Sequence, residues 1–167
     1  MPGGSFVPQA ITDYFRTPGE LGWGNRRVKD EHDFIGREAL NAQRDAGGPK
    51  RQLAGLIWNE GDIADLFAAQ FRSDPLPEPM EIPREIAPSF DRVLISGNDV
   101  GVSSGRTYST TLRKMISLVG IDRDHAEPGT DVTVLWGRPG TPQREVRAKV
   151  AALPLKPDRR RIDVSAL

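Results

Sequence analysis

Asp131-Val132-Thr133-Val134-Leu135-Trp136 is the stretch on which the fold turns. It alternates, so Val132, Val134 and Trp136 share one face, the pattern of a half-buried strand. Val146, Ala148, Val150 and Ala152 alternate with Arg147, Lys149 and Ala151 in the same way. Arg138-Pro139-Gly140-Thr141-Pro142 is the loop between the two runs, and Glu127-Pro128-Gly129-Thr130 is a turn before the first. Working further upstream, Met115-Ile116-Ser117-Leu118-Val119 and Leu53-Ala54-Gly55-Leu56-Ile57-Trp58 are apolar runs of strand length. Arg92-Val93-Leu94-Ile95 is another strand, Gly97-Asn98-Asp99 a hairpin turn, and Val100-Gly101-Val102 the start of the return. Short strands separated by turn signals predict a sandwich or a small barrel. Trp58 and Trp136 fall on these strand patterns and are expected in the core.

Two helices interrupt the pattern. Residues 36–46 are mostly good helix formers, stopped by Gly47-Gly48-Pro49. After Trp58, the residues Ile63, Leu66, Phe67, Gln70 and Phe71 follow a helical stripe, with Asp62 or Asn59 as cap and Ser73-Asp74-Pro75 as stop. Prolines 75, 77, 79, 83 and 88 then predict an extended connection, too long for a tight turn.

The chain has 167 residues, with 23 basic and 23 acidic side chains and no cysteine. That length supports one ordinary core. The absence of cysteine excludes disulfides, thiolate metal sites and thiol catalysis. Balanced charge argues against a nucleic-acid binder. The basic cluster Lys156, Arg159, Arg160 and Arg161 is either a solvated tail or a contact for phosphate or polyglutamate. No apolar run reaches membrane-spanning length, and Met1-Pro2-Gly3-Gly4-Ser5 lacks the features of a signal peptide, so a soluble cytoplasmic protein is expected.

Chemical motifs are sparse. His32 and His125 have no metal-ligand spacing, and no metal site is expected. The glycine-rich segment Gly97 to Gly105 lacks the marks of a phosphate-binding loop and reads as a hairpin plus a bend. Ser103, Ser104 and Ser109 have no recognisable base, and no catalytic residue is assigned. Glu60/Asp62 suit a helix start and Asp122-Arg123-Asp124 a loop. Trp23, set among glycines in Thr17-Pro18-Gly19-Glu20-Leu21-Gly22-Trp23-Gly24, could stack on a flat heterocycle or plug a seam between arm and barrel.

That same segment, followed by Asp33-Phe34-Ile35-Gly36-Arg37-Glu38-Ala39-Leu40, resembles the glycine-cleavage T-protein (aminomethyltransferase) family, which carries a TP-x-E-x-GLGW element and then DFIG-K/R-EAL. Gly101 to Ser109 is similar to that family's G-x-VTSG-x-x-SP, and Pro128 to Val134 and Val146 to Val150 follow in the family's order. Leu56 to Ile63 and Val134-Leu135-Trp136-Gly137 look most like the tetrahydrofolate-dependent aryl-ether O-demethylases acting on vanillate or syringate.

The resemblance implies a mainly β fold: a small Greek-key-type barrel over residues 50–167, preceded by an arm, residues 1–49, that ends the family's folate-binding region. One short helix lies in the arm and one is inserted in the barrel. It also implies one-carbon or methyl transfer to tetrahydrofolate as cofactor. Glu20, Trp23, Arg106 and Tyr108 are the residues expected on the folate side. The catalytic part of the family is not in this sequence, so an N-terminal T-protein-like domain or subunit is the expected partner. The isolated chain is expected to be inactive, and self-association through the uncovered arm is a further expectation. The competing reading is a barrel that has kept binding and lost the chemistry.

Overall fold

The computed structural model describes residues 2–23, 33–72, 75–81 and 88–156. Gly24, His32, Ser73-Asp74, Pro83 and Arg159 to Arg161, all named above, lie outside the described residues. Six strands, β1 (Arg51–Trp58), β2 (Phe90–Ile95), β3 (Asn98–Ser109), β4 (Lys114–Asp122), β5 (Asp131–Trp136) and β6 (Arg144–Ala151), close into one antiparallel barrel in the order β1-β4-β3-β2-β5-β6. Consecutive β2, β3 and β4 pair as hairpins, and β1 lies against β4 across a long connection, which is the Greek key. Two α-helices are present among the described residues, α1 (Arg37–Asp45) in the arm and α2 (Glu60–Ala69) between β1 and β2.

The alternation read from the sequence sets the core. Val132, Val134 and Trp136 face inward opposite Val146, Ala148 and Val150, with Leu56, Trp58, Val93, Val119 and Ile121 closing the interior. The two tryptophan rings meet edge to face, 6.3 Å apart. The indole Nε1 of Trp58 donates to Ser117 Oγ at 2.9 Å, and Ser117 Oγ shares a 2.8 Å hydrogen bond with Ser103 Oγ. This small polar chain crosses the core with its members paired.

β3 runs longer than the sequence suggested. The expected bend appears as a register shift between Ser104 and Thr107, with Gly105 at φ +64. Asn59, not Asp62, caps α2, accepting from the Asp62 amide at 3.0 Å. Asp62 instead clamps Arg147 on β6, fixing the helix to the barrel. α2 starts earlier than its apolar stripe implied. Only Leu66 is buried along it and Phe67 remains exposed; the helix ends at Ala69, earlier than the stripe implied, and Phe71 lies exposed in the turn beyond it.

Residues before α1 are strapped to the outside of the barrel. Gly3 and Phe6 exchange backbone hydrogen bonds with Pro88 and Phe90, and Ser5 Oγ accepts from the Arg92 amide. Gly4 has φ +97, and a Cβ there would sit 2.1 Å from the Phe90 carbonyl oxygen. Tyr14 packs between Phe6 and Phe90. Arg16 crosses β4 where Gly120 leaves room for it, and the Glu20 carbonyl accepts from the Leu53 amide on β1 at 2.8 Å.

Candidate functional site

The described part of the proline-rich connection, residues 75–81, folds over one end of the barrel. Pro77 and Met80 are buried there. The Glu78 carbonyl accepts from Trp136 Nε1 at 2.7 Å, and the Glu78 carboxylate accepts from the Arg138 amide at 2.8 Å. The Glu81 carbonyl accepts from Arg106 Nη2 at 2.7 Å.

Arg106 is the centre of this end. The β3 bulge turns its side chain over the face of Trp136, with the guanidinium carbon 4.6 Å from the ring centroid. Its Nε and Nη1 atoms are buried and have no hydrogen-bond partner. Burial pulls its pKa below the usual guanidinium range, against the opposing pull of the Asp91 and Glu81 charges. Asp91 is only 2% exposed. It accepts from the Ser5 amide at 3.2 Å, yet burial still raises its carboxyl to about 6. The sequence held a signal for Asp91 that was not read: it is a carboxylate on the inward face of β2, two residues before Val93.

The four residues expected on the folate side fall into two groups. Glu20 and Trp23 border a cleft of about 1040 Å³ between the arm and the start of β1, together with Leu40, Arg44, Pro49 and Leu153. The Glu20 carboxylate is turned back onto Thr17, accepting from its amide at 2.7 Å and its hydroxyl at 3.0 Å. Trp23 is 68% exposed, so it lines this cleft without plugging a seam. Tyr108 borders a separate recess of about 250 Å³ beside α2. Leu53, bonded to Glu20, pairs with Gly120 and through it with Val102, whereas Thr107 pairs with Ile116 and Ile57. The two groups are thus four residues apart along the ladder, ~13 Å at 3.3 Å per residue. Among the described residues no three His, Cys, Asp or Glu side chains gather as a metal site would require, and no helix is long and apolar enough to cross a membrane.

A closed Greek-key barrel with one end sealed by an arginine–tryptophan stack, and an outside strap leading to an open cleft, is the class of protein this geometry defines. No family model matches the chain. It is 43% identical over 163 residues to the sesamin methylene transferase of Sinomonas sp. (strain No.22), covering 90% of this chain and 35% of that protein. It is 36% identical to the syringate O-demethylase of Sphingobium sp. (strain NBRC 103272 / SYK-6), covering 91% of this chain and 35% of that protein. The aminomethyltransferase of Halalkalibacterium halodurans matches at 30% identity over 83% of the chain. Among solved structures, the glycine cleavage system aminomethyltransferase T from Bartonella henselae superposes with a TM-score of 0.53 over 83% of this chain and 31% of its own, at 16% identity, a likeness of fold. By sequence the chain belongs to the aminomethyltransferase (glycine-cleavage T-protein) family, on the side of its O-demethylase and methylene-transferase relatives. It spans about a third of the length of the curated relatives it matches.

Proposed function

We propose that this chain is the barrel portion of a tetrahydrofolate-dependent methyl- or methylene-transfer protein of the aryl O-demethylase branch. The observation that carries this reading is the extent of the match: 43% and 36% identity to the sesamin methylene transferase and the syringate O-demethylase over nine-tenths of the chain, whereas the aminomethyltransferases match at 29–37% over 72–83% of it. In this reading residues 1–49 are the arm that joins the preceding folate-binding region, residues 50–167 are the barrel, and the protein works in the cytoplasm. The chemistry is done with the portion that the relatives carry beyond the matched third.

The residues present fit tetrahydrofolate in part. Trp23 offers an open ring face in a cleft wide enough for a flat heterocycle, and Arg106 holds two unpaired donors. Those donors are covered by the connection over Glu81, so a carboxylate reaches them only if residues 75–81 shift. Tetrahydrofolate supplies the nitrogen that accepts the one-carbon unit. Glu20 and Trp23 hold one part of the cofactor, and Arg106 and Tyr108 contact it from the other end of the barrel.

The test is reconstitution. The chain is mixed with the separately expressed remainder of the sesamin methylene transferase, tetrahydrofolate and syringate or sesamin, and one-carbon tetrahydrofolate is quantified by mass spectrometry. Turnover is expected only when both protein parts are present. Turnover by the chain alone would overturn the division of labour. No turnover by the mixture, with no tetrahydrofolate binding by calorimetry, would favour a barrel that binds other partners and has lost the chemistry.

A further inference from the structure

The sealed end of the barrel sets a buried carboxyl group near a guanidinium with idle donors. β2 and β5 pair only at Leu94↔Thr133 and Val93↔Val134, although both strands run on. Continuing that register sets Asp91 level with Trp136. Both side chains are buried, and Arg106 lies over the Trp136 ring. Residues 75–81 cross where the ladder stops, bonded to Trp136 through the Glu78 carbonyl and to Arg106 through the Glu81 carbonyl. The strap gives Asp91 the Ser5 amide at 3.2 Å, and β2 gives it the Ser89 side chain; both donors are neutral. The charges that act on Asp91 are Arg106, which favours its ionised form, and Glu78, which opposes it. Arg92, on the other face of β2, is paired with Asp99, and Glu78 is paired with Arg138 at 3.0 Å. Arg106 gives Nη2 to Glu81 and keeps Nε and Nη1 buried without a partner. The arginine that holds the connection down is thus also the cation beside the buried Asp91.

We propose that Asp91 and Arg106 form a proton-operated catch on residues 75–81. With Asp91 neutral, Arg106 stays on Trp136 and the Glu81 carbonyl, and the connection is held down. With Asp91 ionised, the carboxylate draws Arg106 and its idle donors away from Glu81, and its charge repels Glu78. Both effects lift the connection and admit water to Asp91. The direction follows from burial, which raises the Asp91 carboxyl from 3.8 to about 6 in the closed arrangement. Any opening that wets this group returns it toward its ordinary value, so opening is favoured as pH rises. Complete hydration of Asp91 on opening multiplies the open fraction about 50-fold between pH 4 and pH 7. The catch needs no cofactor and no second protein, so it stands or falls apart from the proposed function.

The experiment follows hydrogen exchange of the full chain by NMR between about pH 4 and pH 7, with rates corrected for the ordinary pH dependence of exchange. The reporters are the Trp136 indole N–H and the Arg138 amide, both bonded to Glu78. The Trp58 indole, bonded to Ser117 in the core, reports global unfolding. The two reporters are expected to lose protection together, about 50-fold, with Trp58 better protected than either at every pH. Asp91→Asn keeps an acceptor for the Ser5 amide and carries no charge at any pH, so its protection is expected to change less than ~3-fold. Equal pH dependence in the parent and Asp91→Asn overturns the proposal, and so does a parent whose protection does not change. Exchange of Trp136 in step with Trp58 overturns it too, because the connection then never lifts on its own. Circular dichroism establishes that Asp91→Asn folds. If it does not, the Asp91 carboxyl of the parent is titrated by carbon-13 NMR: the loss of protection must level off at that group's own midpoint, and a rise that continues past it overturns the proposal.

Discussion

Replacing Ser117 by alanine probes the polar chain that crosses the barrel core. Ser117 Oγ accepts from Trp58 Nε1 at 2.9 Å and is hydrogen-bonded to Ser103 Oγ at 2.8 Å, with all three side chains essentially buried. Ser117→Ala leaves the indole N–H without an acceptor where no water reaches it. A buried unsatisfied donor costs about 1–3 kcal/mol, and Ser103 loses its partner as well, so a loss of about 2–3 kcal/mol is expected. Trp58→Phe removes the donor itself and costs about 1–3 kcal/mol through lost volume. In the Trp58→Phe background Ser117→Ala no longer strands an indole, and its cost is expected to fall to about 1 kcal/mol. The double-mutant cycle should therefore show a coupling of about 1.5 kcal/mol. Urea unfolding followed by far-ultraviolet circular dichroism measures all four proteins without relying on Trp58 fluorescence. Additive costs, within about 0.3 kcal/mol, would refute the claim that this hydrogen bond is what makes Ser117 matter.

Gly4→Ala should strain the strap, because its Cβ would meet the Phe90 carbonyl at 2.1 Å with φ held at +97. Faster hydrogen exchange at the Phe6 and Phe90 amides is the expected readout, with unchanged protection in β5 and β6. Asp91 binds its proton more tightly folded, at about 6, than at the ordinary 3.8. Its contribution to stability is therefore fully present below about pH 4 and is lost as pH rises through 6. Relative to Asp91→Asn, the parent should lose up to about 3 kcal/mol between pH 4 and pH 7, and parallel profiles would contradict this. Gly55→Val should lift the tail, since even a Cβ there would lie 2.5 Å from Leu155, and limited proteolysis after β6 should speed up.

Much of the barrel was legible because its strands obey a period of two. Val132, Val134 and Trp136 were placed inward by alternation alone, as were Val146, Ala148 and Val150. α2 was legible as a helix, but its inward side was not. Periodicity puts Phe67 and Phe71 on the same stripe as Ile63, whereas the helix ends at Ala69, short of Phe71, and the core takes only Ile63 and Leu66 from it. The strap was not legible. Its contacts join Gly3, Ser5 and Phe6 to residues more than eighty positions away, and no local pattern encodes such a pairing. At the site, Arg106 and Trp23 were named from residue type and resemblance. The stacking of Arg106 on Trp136 and the burial of Asp91 depend on the β3 bulge and on the fold of residues 75–81, neither of which a linear pattern specifies.

The barrel is not equally sewn around its circumference. β3 and β4 are paired along most of their length, whereas β2 and β5 meet only at Val93↔Val134 and Leu94↔Thr133. The strap crosses β2, β4 and β1, and the short seam is bridged instead by residues 75–81, which bond Trp136 and Arg138 at the end of β5 and Arg106 on β3. Residues 75–81 thus act as a latch on the β5–β6 hairpin, which pairs with β1 along four positions on its other side. Breathing motions of the protein should begin at this seam once that latch lifts.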